Sequence, residues 1–208
     1  MKILAAVVSC AQHLNRNTAV LETWGRENRL FFTASFANPS HRTIEYSIKL
    51  FTGRDLEVPD DYAHLPQKVK AVCEYASDNE FDFLFKADSD TYCFVQRLLD
   101  SGFESHDYVG WTSGLASMPP CDEYASGGAG YWLSRKAFSL VAKAPLTDDT
   151  CEDRWVGRVL YDAGILVHRD TRYGVPQSGR NPFTDNELLT WHPCPPKRMY
   201  ELNGVWGG

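Results

Sequence analysis

Six consecutive apolar residues, Ile3-Leu4-Ala5-Ala6-Val7-Val8, stand near the start of the chain between Lys2 and Ser9. A strand points successive side chains to opposite faces, so such a run suits a strand covered on both sides. That is the position of a central strand in a parallel sheet. This one segment directs the reading toward a layered α/β structure.

The segments that follow agree. Residues 15–25 carry Val20, Leu21 and Trp24 at helical spacing and close on Gly25, which suits a helix C-cap. Leu30–Ser35 reads as a second apolar strand. Ile44, Tyr46, Ile48 and Leu50 alternate with polar neighbours, as a half-buried strand does. Past a Pro- and Asp-rich loop at Val58–Pro66, residues Val69, Val72, Cys73 and Ala76 mark an amphipathic helix. Phe81–Phe85 is the next strand, running through Lys86 and Ala87 into Asp88-Ser89-Asp90. Asp107–Trp111 reads as a strand, and Leu133 to Ala142 as a helix capped by Ser134. Strands alternating with helices predict an α/β fold with a mostly parallel central sheet flanked by helices. No linker, charge block or repeat divides the 208 residues, so the expectation is a single domain over 1–208. From Tyr173 onward Pro, Gly and Asn are frequent, and residues 173–208 are expected to be largely irregular and to fold back over the site.

Composition excludes several classes. With 43% hydrophobic and 13% aromatic residues the chain can fill a core and is not a disordered one. Its formal charge of −6 makes nucleic acid an unfavoured partner. No stretch approaches the roughly 20 apolar residues of a membrane span, so no membrane anchor is expected. Six dispersed cysteines form no CxxC pair, which removes zinc-finger and thioredoxin readings. Free thiols in a cytoplasmic protein are the expectation, with a secreted or lumenal catalytic domain as the alternative.

Four constellations carry chemistry. Asp88-Ser89-Asp90 places two carboxylates just past a strand end, where α/β sheets build ligand sites, and hard cations such as Mn²⁺ or Mg²⁺ take oxygen ligands. The plainer account is a solvated turn whose Asp caps a helix near Tyr92. An aspartyl phosphatase would need Thr or Val at the fifth position of its DxDxT motif, where Tyr92 stands, and an EF-hand would need a third acid. Neither a P-loop nor a GxGxxG fingerprint is present. Ser126-Gly127-Gly128-Ala129-Gly130 either bends tightly or lets backbone approach a ligand. Glu152 and Asp153 at a helix start either complement the helix dipole or accept a proton from a substrate hydroxyl. His192, in Thr190-Trp191-His192-Pro193, is either structural or a metal ligand. Trp111 is a candidate sugar platform or a core residue.

Taken together, these segments resemble the fringe-like and core-1-type β-1,3-galactosyltransferases of glycosyltransferase family 31. Thr23-Trp24-Gly25 is similar to the family's early TWG segment, and Lys86-Ala87-Asp88-Ser89-Asp90-Thr91-Tyr92 to its KADDDTY motif. Tyr124 to Ser134 resembles YASGGAGYVLS, Glu152-Asp153 with Gly157 resembles EDVxxG, and Arg169-Asp170-Thr171 with His192-Pro193 resembles RDT…HP. The likeness runs from Val7 to about Pro193.

It implies a GT-A (Rossmann-like) fold and an inverting, metal-dependent hexosyl transfer from a UDP-sugar, with galactose favoured and a β-1,3 linkage. The acceptor would be a glycan, glycoprotein or small molecule. By the same likeness Asp90 and His192 hold Mn²⁺ (Mg²⁺ as substitute), and Asp88 meets the ribose or a metal-bound water. Asp153 is the general base, and Glu152 orients sugar hydroxyls. Lys86, Ser89, Gly127, Gly128 and Trp24 belong to the donor side; Trp111, by its place between the predicted strand and the glycine loop, is the acceptor-side candidate. Ser89 departs from the family's middle acid, and no counterpart of the membrane helix and stem of its eukaryotic members is expected. A degenerate nucleotide- or glycan-binding module and a sugar-nucleotide hydrolase are the competing classes.

Overall fold

The structure, a computed structural model, describes residues 1–26, 29–34, 42–112 and 123–207. Strand β1 (Lys2–Val8) leads into helix α1 (Leu14–Glu22), β2 (Arg29–Ala34) and β3 (Arg42–Phe51). Then come α2 (Leu65–Asp78), β4 (Phe83–Asp88), β5 (Tyr92–Cys93), α3 (Val95–Leu99) and β6 (Tyr108–Gly110). The second half holds β7 (Tyr131–Ser134), α4 (Arg135–Lys143), α5 (Glu152–Asp162), β8 (His168–Arg169), β9 (Tyr173–Gly174), β10 (Thr190–Trp191) and α6 (Pro196–Trp206).

Among the described residues seven strands form the main sheet, in the order β2-β3-β1-β4-β7-β6-β8. β3, β1, β4, β6 and β8 run one way, and β2 and β7 run against them, so the sheet is mostly parallel in direction. β1 lies between β3 and β4 and divides its side chains between two cores. Ile3, Ala5 and Val7 join Ala19, Val20 and Trp24 of the α1 side with Met199 and Leu202 of α6. Leu4, Ala6 and Val8 join the apolar faces of α2, α4 and α5. The unbroken apolar run at the N-terminus is thus the strand that faces both layers.

Several expectations are refined. Helix α1 stops at Glu22, and the Gly25 N–H closes its end by donating to the Val20 carbonyl at 2.9 Å. Leu133 lies in β7; Ser134 caps α4 as expected, its Oγ accepting from the Ala137 N–H at 3.3 Å. After Asp90 the chain enters β5 before α3, so neither Asp88 nor Asp90 is a helix cap.

The larger correction concerns the tail, expected to be largely irregular. β10 pairs with β5 and β9 in a second, three-stranded sheet, and α6 follows. Proline is no obstacle there, because Pro195 and Pro196 fall at the N-cap and first helical positions, where a missing N–H costs nothing. Met199 and Leu202 bury against the α1 face, and the Arg97 guanidinium stacks over Phe94 and Trp206 at 4.4 and 4.5 Å.

Among the described residues no helix is long and apolar enough to cross a membrane. Cys10, Cys73, Cys93, Cys151 and Cys194 carry free thiols; Cys121 lies outside the described residues, as does Ser35 of the second predicted strand.

Candidate active site

Val8 of β1 and Asp88 of β4 are register partners at the carboxyl ends of adjacent parallel strands. Beyond them opens a cavity of about 660 Å³. It is lined by Asp88, Ser89, Asp90, Gly127, Gly128, Glu152, Asp153 and His192, residues from four distant stretches of chain. The sequence singled out all eight.

The small second sheet brings His192 there. The β10 Thr190 hydroxyl donates to the Ala129 carbonyl at 2.7 Å, and the Thr91 hydroxyl donates to the Gly128 carbonyl at 2.6 Å. The glycine loop is therefore tied both to the segment after Asp90 and to the strand before His192. His192 Nδ1 stands 3.4 Å from Asp90 Oδ1, and Arg16 Nη1 of α1 stands 3.1 Å from Asp90 Oδ2. Burial raises the Asp90 pKa, but His192 and Arg16 outweigh it and hold the carboxyl below its usual range.

Below the cavity floor lies a charged cluster. β4 turns Lys86 and Asp88 to the same face, toward α5. The buried Lys86 ammonium is 2.7 Å from Asp88 Oδ1 and 2.5 Å from Glu152 Oε1, and it donates to the Gly127 carbonyl at 3.1 Å. The Tyr131 hydroxyl donates to Glu152 Oε2 at 2.8 Å. One ammonium cannot neutralise three neighbouring carboxylates. Burial, with Asp153 and Asp88 adding to it against the pull of Lys86, raises the Glu152 pKa to about 7. Lys86 stays charged, because the two carboxylates outweigh its own desolvation.

Asp153, in the first turn of α5, is half-buried and accepts three hydrogen bonds. The Gly127 N–H donates to Oδ2 at 3.0 Å, while the Cys151 thiol and the Arg154 N–H donate to Oδ1, each at 2.8 Å. These fix the carboxylate at the cavity wall.

Three expected roles change. Lys86 is buried under the floor with its donors committed, so it supports the site and does not reach a donor molecule. Trp24 is 7% exposed and packs in the core, away from the cavity. Trp111 packs against that core as well and does not line the cavity. Glu152 lines the cavity and accepts one hydrogen bond on each oxygen, from Lys86 and from Tyr131, which fixes its orientation.

Sequence reading missed other members. Arg16, Asp60, Tyr62 and Lys68 also line the cavity. Lys68 donates to Asp60 Oδ1 at 2.8 Å and to the Ser9 carbonyl at 3.0 Å. A signal for it existed: Lys68, Val72 and Ala76 follow one another every fourth residue, which puts a lysine on the apolar face of α2. Nothing comparable marks Arg16 or Tyr62.

Among the described residues no group of three His, Cys, Asp or Glu side chains converges as a metal cage. The pair that does meet suits a partial site. His192 Nδ1 is buried and lacks a hydrogen-bond partner, and it faces a carboxylate oxygen. Cis ligands about 2.0–2.4 Å from an octahedral ion stand about 2.8–3.4 Å apart. Asp90 and His192 therefore fit two positions of a Mn²⁺- or Mg²⁺-type ion that keeps waters or substrate phosphates on the others.

A mostly parallel sheet, helices on both faces and a cavity beyond the carboxyl ends of β1 and β4 define a GT-A-like fold. No protein-family model matches the chain. Among solved structures the fold is similar to that of a glycosyltransferase involved in the glycosylation of the major capsid of PBCV-1. The two share 13% identity and a TM-score of 0.55, over 97% of this chain and 99% of that one. A197 from STIV aligns at 12% identity and a TM-score of 0.41, over 76% of this chain and 77% of its own. At 13% identity the likeness to the first of these is one of fold.

Proposed function

We propose that this protein is an inverting glycosyltransferase that passes a hexose, galactose by preference, from a UDP-sugar to an acceptor hydroxyl. The observation that carries the reading is the shared cavity: Asp153, the Asp90–His192 pair and the glycine loop line one space beyond the strand ends. The family 31 assignment and the β-1,3 linkage rest on the five motif segments. A fold like that of a glycosyltransferase supports the general class.

In this reading the acceptor oxygen attacks the anomeric carbon while its proton passes to Asp153. The bond from that carbon to the diphosphate oxygen breaks, and UDP leaves with the electron pair. A base so placed contributes about 10²–10⁴-fold. The three donors to Asp153 hold it in one orientation, and the Lys86 cluster keeps Asp88 and the glycine loop in place. Asp90 and His192 would hold Mn²⁺ or Mg²⁺, which when bound supplies positive charge against the departing diphosphate.

One observation favours a second reading, a nucleotide- or glycan-binding module without turnover. Each acid of the Asp88/Asp90 pair already has a cationic partner, Lys86 and Arg16. A panel of UDP-sugars with saccharide, peptide and small-alcohol acceptors separates the readings. UDP release that needs an acceptor, with a mass-shifted product and loss of activity in EDTA, is expected. Acceptor-independent release of free sugar would indicate a hydrolase, and tight UDP binding without release a binding module.

A further inference from the structure

We infer that Arg16 binds the diphosphate of the donor, touching Asp90 with one edge of its guanidinium and offering its remaining donors to the leaving group. This rests on the nucleotide-sugar reading above. The two oxygens of Asp90 are divided: Oδ1 faces His192 Nδ1 at 3.4 Å, and Oδ2 faces Arg16 Nη1 at 3.1 Å. Arg16 therefore stands beside the candidate metal position without occupying it.

Its side chain is 42% exposed and lines the cavity. Among the described residues Asp90 is its one ion-pair partner, so most of its five N–H donors are uncommitted. The two described lysines at the cavity are committed elsewhere. Lys68 is buried on Asp60 and the Ser9 carbonyl, and Lys86 on Asp88, Glu152 and the Gly127 carbonyl.

Charge favours such a group beside the candidate metal position. Asp60, Asp61, Asp88, Asp90, Glu152 and Asp153 all line the space a diphosphate would enter. A dianion there meets net repulsion unless cations face it. A guanidinium, planar and forked, suits paired phosphate oxygens better than an ammonium does.

The test measures binding of inorganic diphosphate and of UDP by calorimetry, in EDTA and again with Mn²⁺, and of Mn²⁺ alone without chelator, for the wild type, Arg16→Gln and Arg16→Lys, with melting curves to confirm folding. Arg16→Gln is expected to weaken both ligands about 10–100-fold, the scale of charged hydrogen bonds, and Arg16→Lys to weaken them less. If Arg16 is only a counter-ion to Asp90, Arg16→Gln leaves diphosphate affinity unchanged and tightens binding of Mn²⁺ alone; that result overturns the inference. Wild type that binds UDP no better than diphosphate, with both lost in Arg16→Gln, upholds the anion site and removes the nucleotide-sugar reading. A wild type that binds neither ligand, with Mn²⁺ or in EDTA, overturns both.

Discussion

The imidazole of His192 occupies the space where Gly128 would carry a side chain: a Cβ built there stands 2.3 Å from Nε2 and 2.5 Å from Cδ2. The glycine loop is anchored through the Gly128 and Ala129 carbonyls, so the ring is the part that must yield. Gly128→Ala should therefore displace His192 at a stability cost of about 1–3 kcal/mol and sharply weaken Mn²⁺-supported UDP binding. A double-mutant cycle checks the cause. In a His192→Ala background the same change should cost little, with a coupling of about 0.5–3 kcal/mol. An equal loss of stability in both backgrounds would place the clash elsewhere.

Glu152 gives a pH prediction. Folded, it holds its proton up to about pH 7; unfolded, it releases it near its ordinary value of about 4.5. Between those values the folded state binds more protons, so this group makes stability fall as pH rises from about 4.5 to 7 and adds no slope above. Glu152→Gln, which can still accept from Lys86 or Tyr131, should flatten that part of the profile. Melting temperatures of both proteins from pH 5 to 8 read it, and an unchanged slope in the variant would assign the titration to another group.

Asp153→Asn tests the base. Turnover should fall by about 10²–10⁴-fold with UDP and Mn²⁺ affinity nearly kept. The swap is not silent structurally, because all three partners of Asp153 are donors and an amide NH₂ must face one of them. A stability loss of about 1–3 kcal/mol is therefore expected beside the loss of rate. Full turnover per folded molecule would remove Asp153 from the chemistry.

Leu202 tests the tail. It is fully buried where α6 covers the α1 side of the core. Leu202→Ala should cost about 2–5 kcal/mol by leaving a cavity, with the midpoint of denaturant unfolding as the readout. A change within about 0.5 kcal/mol would mean that α6 does not share in the cooperative core.

What the sequence alone could determine is what depends on local pattern. The period of two that feeds both cores from β1, the cap at Ser134 and the placing of Asp88, Asp90 and Asp153 at element ends were legible, because each is written within a few consecutive residues. Tertiary structure decided the rest. Whether a glycine makes room for a ligand or for another side chain depends on what the fold brings against it, and for Gly127 and Gly128 that is Glu152 and His192. Whether Lys86 reaches the cavity or stays beneath it depends on which face of β4 meets α5, and Arg16 meets Asp90 across 74 residues of chain that no local spacing connects. The tail shows the same division. Its Pro, Gly and Asn content predicts an irregular segment when read alone, but burial of Met199 and Leu202 makes 196–206 a helix. Packing supplies most of the stability of so short a helix, and packing is absent from any window of sequence.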